Sequence, residues 1–137
     1  MQCNRKTIEV EIALLLSATN MRYKDVILGV GASMVMAGVR DLSQHVDISV
    51  PADAYERLVK EGYPVKKTDD GECIEYNSLV TIFRAKPAQT TEINGFLTHT
   101  LRYLHSYKIF LSGKRNRSVE NREDDLADIR KLESMIF

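Results

Sequence analysis

A chain of 137 residues suits one domain, and it is long enough to bury roughly two-thirds of its extended surface on folding. Its 44% hydrophobic and 28% charged residues exclude disorder, and 19 basic against 19 acidic residues exclude the global field that drives non-specific binding to nucleic acid or anionic membrane. The longest apolar run, Ile12 to Leu16, is too short to cross a bilayer, and the start of the chain lacks the charged-then-apolar order of a secretory signal, which predicts a cytoplasmic protein.

Apolar residues Ile8, Ile12, Leu15 and Leu16 recur at helical spacing and predict a first helix over 7–17. A short β-rich run over 25–28 stops at Gly29-Val30-Gly31-Ala32-Ser33 and resumes as a helix over 34–37, with Gly38-Val39-Arg40 as its exit. The next segment, 46–50, alternates apolar and polar residues as a half-buried strand does, which puts Asp47 and Ser49 on the face opposite the core. Pro51 and Gly62 bracket a helix over 51–61, supported by Asp53/Arg57 and Glu56/Lys60 at i,i+4 spacing. Strands are predicted over 64–67, 72–76 and 79–85, separated by turn formers at Asp69-Asp70-Gly71 and Asn77-Ser78. The rest reads as two helices, one over 91–111 and one capped by Ser118. Cys3, placed near a flexible start, and Cys73, in a strand, read as free thiols.

The order Leu28-Gly29-Val30-Gly31-Ala32-Ser33, then Gly38-Val39-Arg40, then His45-Val46-Asp47-Ile48-Ser49-Val50 resembles the core of the nucleotidyltransferase superfamily. The likeness is to its small stand-alone members, related to antibiotic nucleotidyltransferases and to toxin or abortive-infection proteins. Arg122 to Ile129 and the helical Lys108 extend the likeness over roughly residues 7–135. The resemblance implies an α/β (α+β) domain over 1–137: a mixed β-sheet flanked by helices, its core at about 7–86, followed by two C-terminal helices at about 91–136. It also implies a nucleoside triphosphate with Mg²⁺ or Mn²⁺, held by a glycine turn and an Asp-x-Asp pair. Backbone N–H groups at such a turn approach the phosphates, and the helix dipole adds partial positive charge. Carboxylates two residues apart share one face of a strand and can hold hard divalent ions. Carried onto this chain, the implied nucleotide-binding residues are Gly29, Gly31, Ala32, Ser33, Lys108 and Arg122, and the implied metal and catalytic positions are His45 and Asp47.

The chain departs from that pattern where the chemistry is concentrated. When Gly31 and Gly38 are aligned, Val30 replaces the first turn glycine, His45 replaces the first aspartate, and Thr81 falls at the third carboxylate position. Reading Asp47 and Ser49 as the pair also leaves one carboxylate, and Asp41, Glu72 or Glu75 could substitute only if the strand register shifts. Imidazole suits zinc or copper better than magnesium. The expectation is therefore a weak nucleotide binder or catalytically impaired homologue. The alternatives are an active metal-dependent transferase of nucleoside monophosphate to a hydroxyl, and a protein-interaction module such as a toxin partner or viral accessory protein.

Each residue also has an ordinary structural explanation. Gly29 and Gly31 can serve a strand-to-helix turn, and Asp47 and His45 can be surface residues. Lys108 lies on the stripe Ile93, Leu97, Leu101, Leu104 and Leu111, so it either snorkels or points into the cleft toward a phosphate or Asp47. Asp125 and Asp128 are expected to cap a helix or to pair with nearby bases, and Tyr103, Tyr107 and Phe110 to pack between the two C-terminal helices.

Overall fold

The computed structural model describes residues 2–69 and 71–137; Met1 and Asp70, the latter central to the expected Asp69-Asp70-Gly71 turn, lie outside the described residues. The described elements run α1 (Arg5–Thr19), β1 (Ile27–Leu28), α2 (Val30–Met36), β2 (Val46–Val50), α3 (Ala52–Lys60), β3 (Val65–Thr68), β4 (Gly71–Glu75), β5 (Val80–Arg84), β6 (Thr90–Ile93), β7 (Phe96–His99), α4 (Leu101–Ser112) and α5 (Val119–Ile136). None of these helices is long and apolar enough to cross a membrane.

The strands form one mixed sheet in the order β3-β4-β5-β2-β1-β7-β6. β2 is parallel to β5 and β1 to β7, and the other neighbours are antiparallel. Alternation in β2 sends Val46, Ile48 and Val50 into a core shared with Ile8 and Ile12 of α1 and Tyr55 and Leu58 of α3. The seven-residue α2 has apolar residues on two sides: Ala32 and Val35 join that core, while Met34 packs with Val39, Leu104 and Leu132 beneath α4 and α5. Arg84 fastens α3 to the sheet through Glu56 at 2.6 Å and the Tyr55 ring at 4.1 Å. The expected Asp53/Arg57 and Glu56/Lys60 ion pairs do not form among the described residues. Both sheet edges are mostly polar: the exposed β3 carries Lys66, Lys67 and Thr68 beside Val65, and Thr90, Thr91 and Glu92 of β6 are exposed.

Two expectations are corrected. Residues 91–111 are not one helix, because β6 and β7 form a hairpin around Asn94 and Gly95, whose φ angles of 52° and 85° are those of a type I′ turn. The sheet accordingly extends to His99, well past residue 86, and the stripe through Lys108 loses Ile93 and Leu97 to strands. Cys3 is buried and exchanges backbone hydrogen bonds with Ser43 at 2.6 and 2.9 Å, so the beginning of the chain is pinned to the loop before β2. Both cysteines are free thiols.

The handover from β1 to α2 brings two segments unusually close. The Gly29 N–H donates to the Asp47 carbonyl at 2.7 Å, and a Cβ at position 29 would lie 2.8 Å from that oxygen and 2.9 Å from the Asp47 Cβ. Gly29 has an ordinary extended backbone, with φ −68° and ψ −177°, so glycine is needed for proximity rather than for conformation. A Cβ at Gly31 would meet the Ser43 hydroxyl at 2.7 Å, and that hydroxyl donates to the His45 carbonyl at 2.7 Å. The buried Ser33 hydroxyl donates to the Leu28 carbonyl at 2.9 Å and accepts from the His99 N–H at 3.1 Å, tying α2 to β1 and β7.

α4 and α5 are joined by buried charge. Lys108 Nζ lies 3.0 Å from Asp125 and 3.2 Å from Asp128; Arg117 adds two hydrogen bonds to Asp125 at 2.9 Å, and Arg40 reaches Asp128 at 3.2 Å. The pairing expected of Asp125 and Asp128 is thus present. Burial would raise the Asp125 carboxyl, but hydrogen bonds and charge from Arg117 and Lys108 outweigh it and hold its pKa below the usual range.

Gly29→Ala, which must move backbone, is expected to cost about 1–3 kcal/mol. Gly31→Ala, which need only turn the Ser43 hydroxyl away from its acceptor, should cost about 1 kcal/mol. Denaturant melts should rank them in that order, and equal stability of Gly29→Ala and the parent would refute the packing argument. Asp125→Asn leaves buried cations under-neutralised and should cost about 3–5 kcal/mol. Because the folded carboxyl has the lower pKa, its contribution is present above about pH 4 and is lost as pH falls through the folded value. The parent should therefore lose more stability on acidification than Asp125→Asn, as thermal melts at stepped pH would show.

Candidate functional site

The face of β2 turned away from α1 and α3 carries Asp47, which is exposed, and Ser49, which is half-buried; the exposed His45 precedes the strand with the same parity. Parallel pairing sets Thr81 of β5 directly opposite Asp47, and antiparallel pairing sets Glu75 of β4 opposite Thr81. Asp47, Thr81 and Glu75 therefore stand in a row on one open face, next to the first turn of α2. Gly29 touches Asp47 directly, while Gly31 faces Ser43 one step back. The surroundings of Asp47 raise its carboxyl pKa by desolvation, and His45 opposes the rise by its charge. Cys73 is buried nearby, and burial likewise pushes its thiol up.

The other carboxylates considered for a metal pair are either paired with a base or placed away from Asp47. Glu75 pairs with Lys66 at 3.2 Å. Glu72 lies on the core side, 3.3 Å from Arg84 and 3.2 Å from the Tyr55 hydroxyl, and Asp41 borders a groove of about 890 Å³ between α1 and the end of α2. Among the described residues no group of three or more His, Cys, Asp or Glu side chains is placed to hold a metal ion. The donors around Asp47 are one imidazole and the hydroxyls of Ser49 and Thr81. That set does not fit a two-ion magnesium site, which needs several oxygen ligands in near-octahedral order.

Of the nucleotide-binding positions expected from the sequence, Gly29, Gly31, Ala32 and Ser33 are brought together with Asp47 at the start of α2. The Ala32 and Ser33 side chains are fully buried, and the Ser33 hydroxyl is committed to β1 and β7, so only the backbone of this turn is open to a ligand. Lys108 and Arg122 belong to a second group. Lys108 neither snorkels nor meets Asp47, since its ammonium is taken by Asp125 and Asp128. It borders a polar cavity of about 250 Å³ together with Arg40, Ser43, Gln44 and Arg117. The Arg122 guanidinium donates to the Lys114 carbonyl at 2.8 Å, which makes it a tie for the α4–α5 loop.

One residue of the open face was hidden by the helix expected over 91–111. β1 pairs Ile27 with Ser49 on one side and with Leu97 on the other. Two residues further along that register, His99 is level with Gly29 and Asp47 and shares their face. Its ring stacks on Tyr103 at 4.3 Å, and Tyr103 stacks on Tyr107 at 6.1 Å. Tyr103 and Phe110 are 40% and 62% exposed, which corrects the expectation that they pack between α4 and α5. The legible signal was Asn94-Gly95, the preferred turn of a tight hairpin.

No protein-family model matches the sequence, and no curated protein matches it. Among solved structures, the crystal structure of the Megavirus polyadenylate synthase superposes with a TM-score of 0.60 at 12% sequence identity, over 95% of this chain and 32% of that one. The chain thus spans about a third of that protein's length. At this identity the likeness is one of fold, and the mixed sheet with its flanking helices is nucleotidyltransferase-like.

Proposed function

We propose that this chain binds a nucleotide on the open face of its sheet, with transfer chemistry lost or strongly reduced. The observation that carries the reading is that Asp47, against Gly29 at the start of α2, is the single carboxylate among His45, Asp47, Ser49 and the facing Thr81. Phosphates would lie along the first turn of α2, where the Val30, Gly31 and Ala32 N–H groups precede Ser33, the first residue bonded back to Gly29. Asp47 would hold at most one divalent ion, Mg²⁺ or Mn²⁺, accompanying the phosphates. If each absent carboxylate removes about 100-fold of rate, two remove roughly 5 kcal/mol of barrier lowering. The nucleotidyltransferase-like fold supports this choice of ligand, and the donor set supports the loss of rate.

Calorimetric titration with ATP, GTP, CTP and UTP, in Mg²⁺, Mn²⁺ or chelator, is expected to show weak binding that changes little with the metal. Incubation with radiolabelled nucleoside triphosphate should give no robust product. Strong Mg²⁺-dependent labelling that disappears in Asp47→Asn would replace this reading with that of a working transferase. Absence of binding by all four nucleotides would remove the nucleotide altogether.

A further inference from the structure

The His99 ring has an uncommon setting. It projects from the last residue of β7 onto the Asp47 face, separated from Asp47 by the single strand β1, so the two backbones are about 10 Å apart at ordinary strand spacing. Its plane is set by stacking, with Tyr103 at 4.3 Å and 20° on one side, and Tyr103 in turn lies 11° from parallel with Tyr107 one helical turn along α4. Its Nδ1 is buried and has no hydrogen-bond partner, so no polar contact at that nitrogen orients the ring. At the backbone the same residue is anchored, its N–H donating to Ser33 of α2 at 3.1 Å. The result is a flat aromatic ring on the side of Asp47 opposite Thr81 and Glu75, with the Gly29 turn between them.

We propose that His99, backed by Tyr103, is the stacking platform for the base of the nucleotide whose phosphates lie at the start of α2. This rests on the nucleotide reading above and adds where the base goes. A nucleoside with its 5′-phosphate can bridge the separation from the His99 ring to the Gly29–Asp47 junction, and both ends lie on one face. Stacking on a ring face tolerates any base, since every base has a π face. Burial lowers the pKa of His99, so the ring is neutral at and above pH 7 and its stacking should be insensitive to pH there.

The test compares ATP with inorganic tripolyphosphate by calorimetry on the folded chain, with circular dichroism melts to confirm that each variant folds. The parent should bind ATP about 10-fold or more tightly than tripolyphosphate, the size of one base stack. His99→Ala should abolish that preference and leave tripolyphosphate binding unchanged, while His99→Phe, which keeps a ring face without nitrogens, should restore it. The platform is overturned if His99→Ala keeps the ATP preference, if it weakens both ligands equally, if His99→Phe fails to recover it while folded, or if the parent binds both ligands alike. Failure of the parent to bind either ligand would instead remove the nucleotide reading beneath it.

Discussion

The contact on which the site depends is the one between Gly29 and Asp47. A backbone N–H meets a backbone carbonyl at 2.7 Å where β1 becomes α2, and the approach leaves no space for a side chain at position 29. It fixes the first turn of α2 against β2, so the free N–H groups of that turn and the Asp47 carboxylate are neighbours by construction. The same closeness explains the glycine without any ligand. A packing requirement therefore accounts for the glycine by itself, and the proposed phosphate site would add no cost to the fold.

The second constraint is the ion network between α4 and α5. Desolvating two ions is expensive, and a buried pair is weak evidence of stability gained. Its visible effect is geometric: Arg40, just after the Gly38 turn, reaches Asp128, so the helix pair is tied to the segment that leads into β2. Asp125, with none of its side chain exposed, gathers Lys108 from α4 and Arg117 from the loop that joins the two helices. The lysine that looked available for phosphate is therefore a joint in the scaffold.

Local patterns reported most of the architecture because local physics decides it. β2 begins and ends where its alternation does, α3 lies between its proline and its glycine, and the Ser118 hydroxyl accepts from the Asn121 N–H at the start of α5. Thr81, placed at the third carboxylate position by the resemblance, does stand opposite Asp47 in the parallel pairing of β2 and β5. Residues 91–111 misled because Leu97, Leu101 and Leu104 repeat at helical spacing even though Leu97 is in a strand. That spacing outweighed an Asn-Gly pair, and His99 was lost with the hairpin. The commitments of Lys108 and Arg122 were illegible for a different reason: which charges meet across two helices depends on how the helices dock, and no single-helix period encodes it.

The borders of the sheet bear on how this molecule behaves in company. An open sheet invites another chain to add a strand, and the hazard is greatest where the outer strand is long, flat and apolar. Here the outer strands are four residues each, one bearing adjacent lysines and the other threonines and a glutamate. Short polar margins of this kind discourage edge-to-edge growth into aggregates, which leaves the broad face of the sheet, rather than its rim, as the surface offered to other molecules.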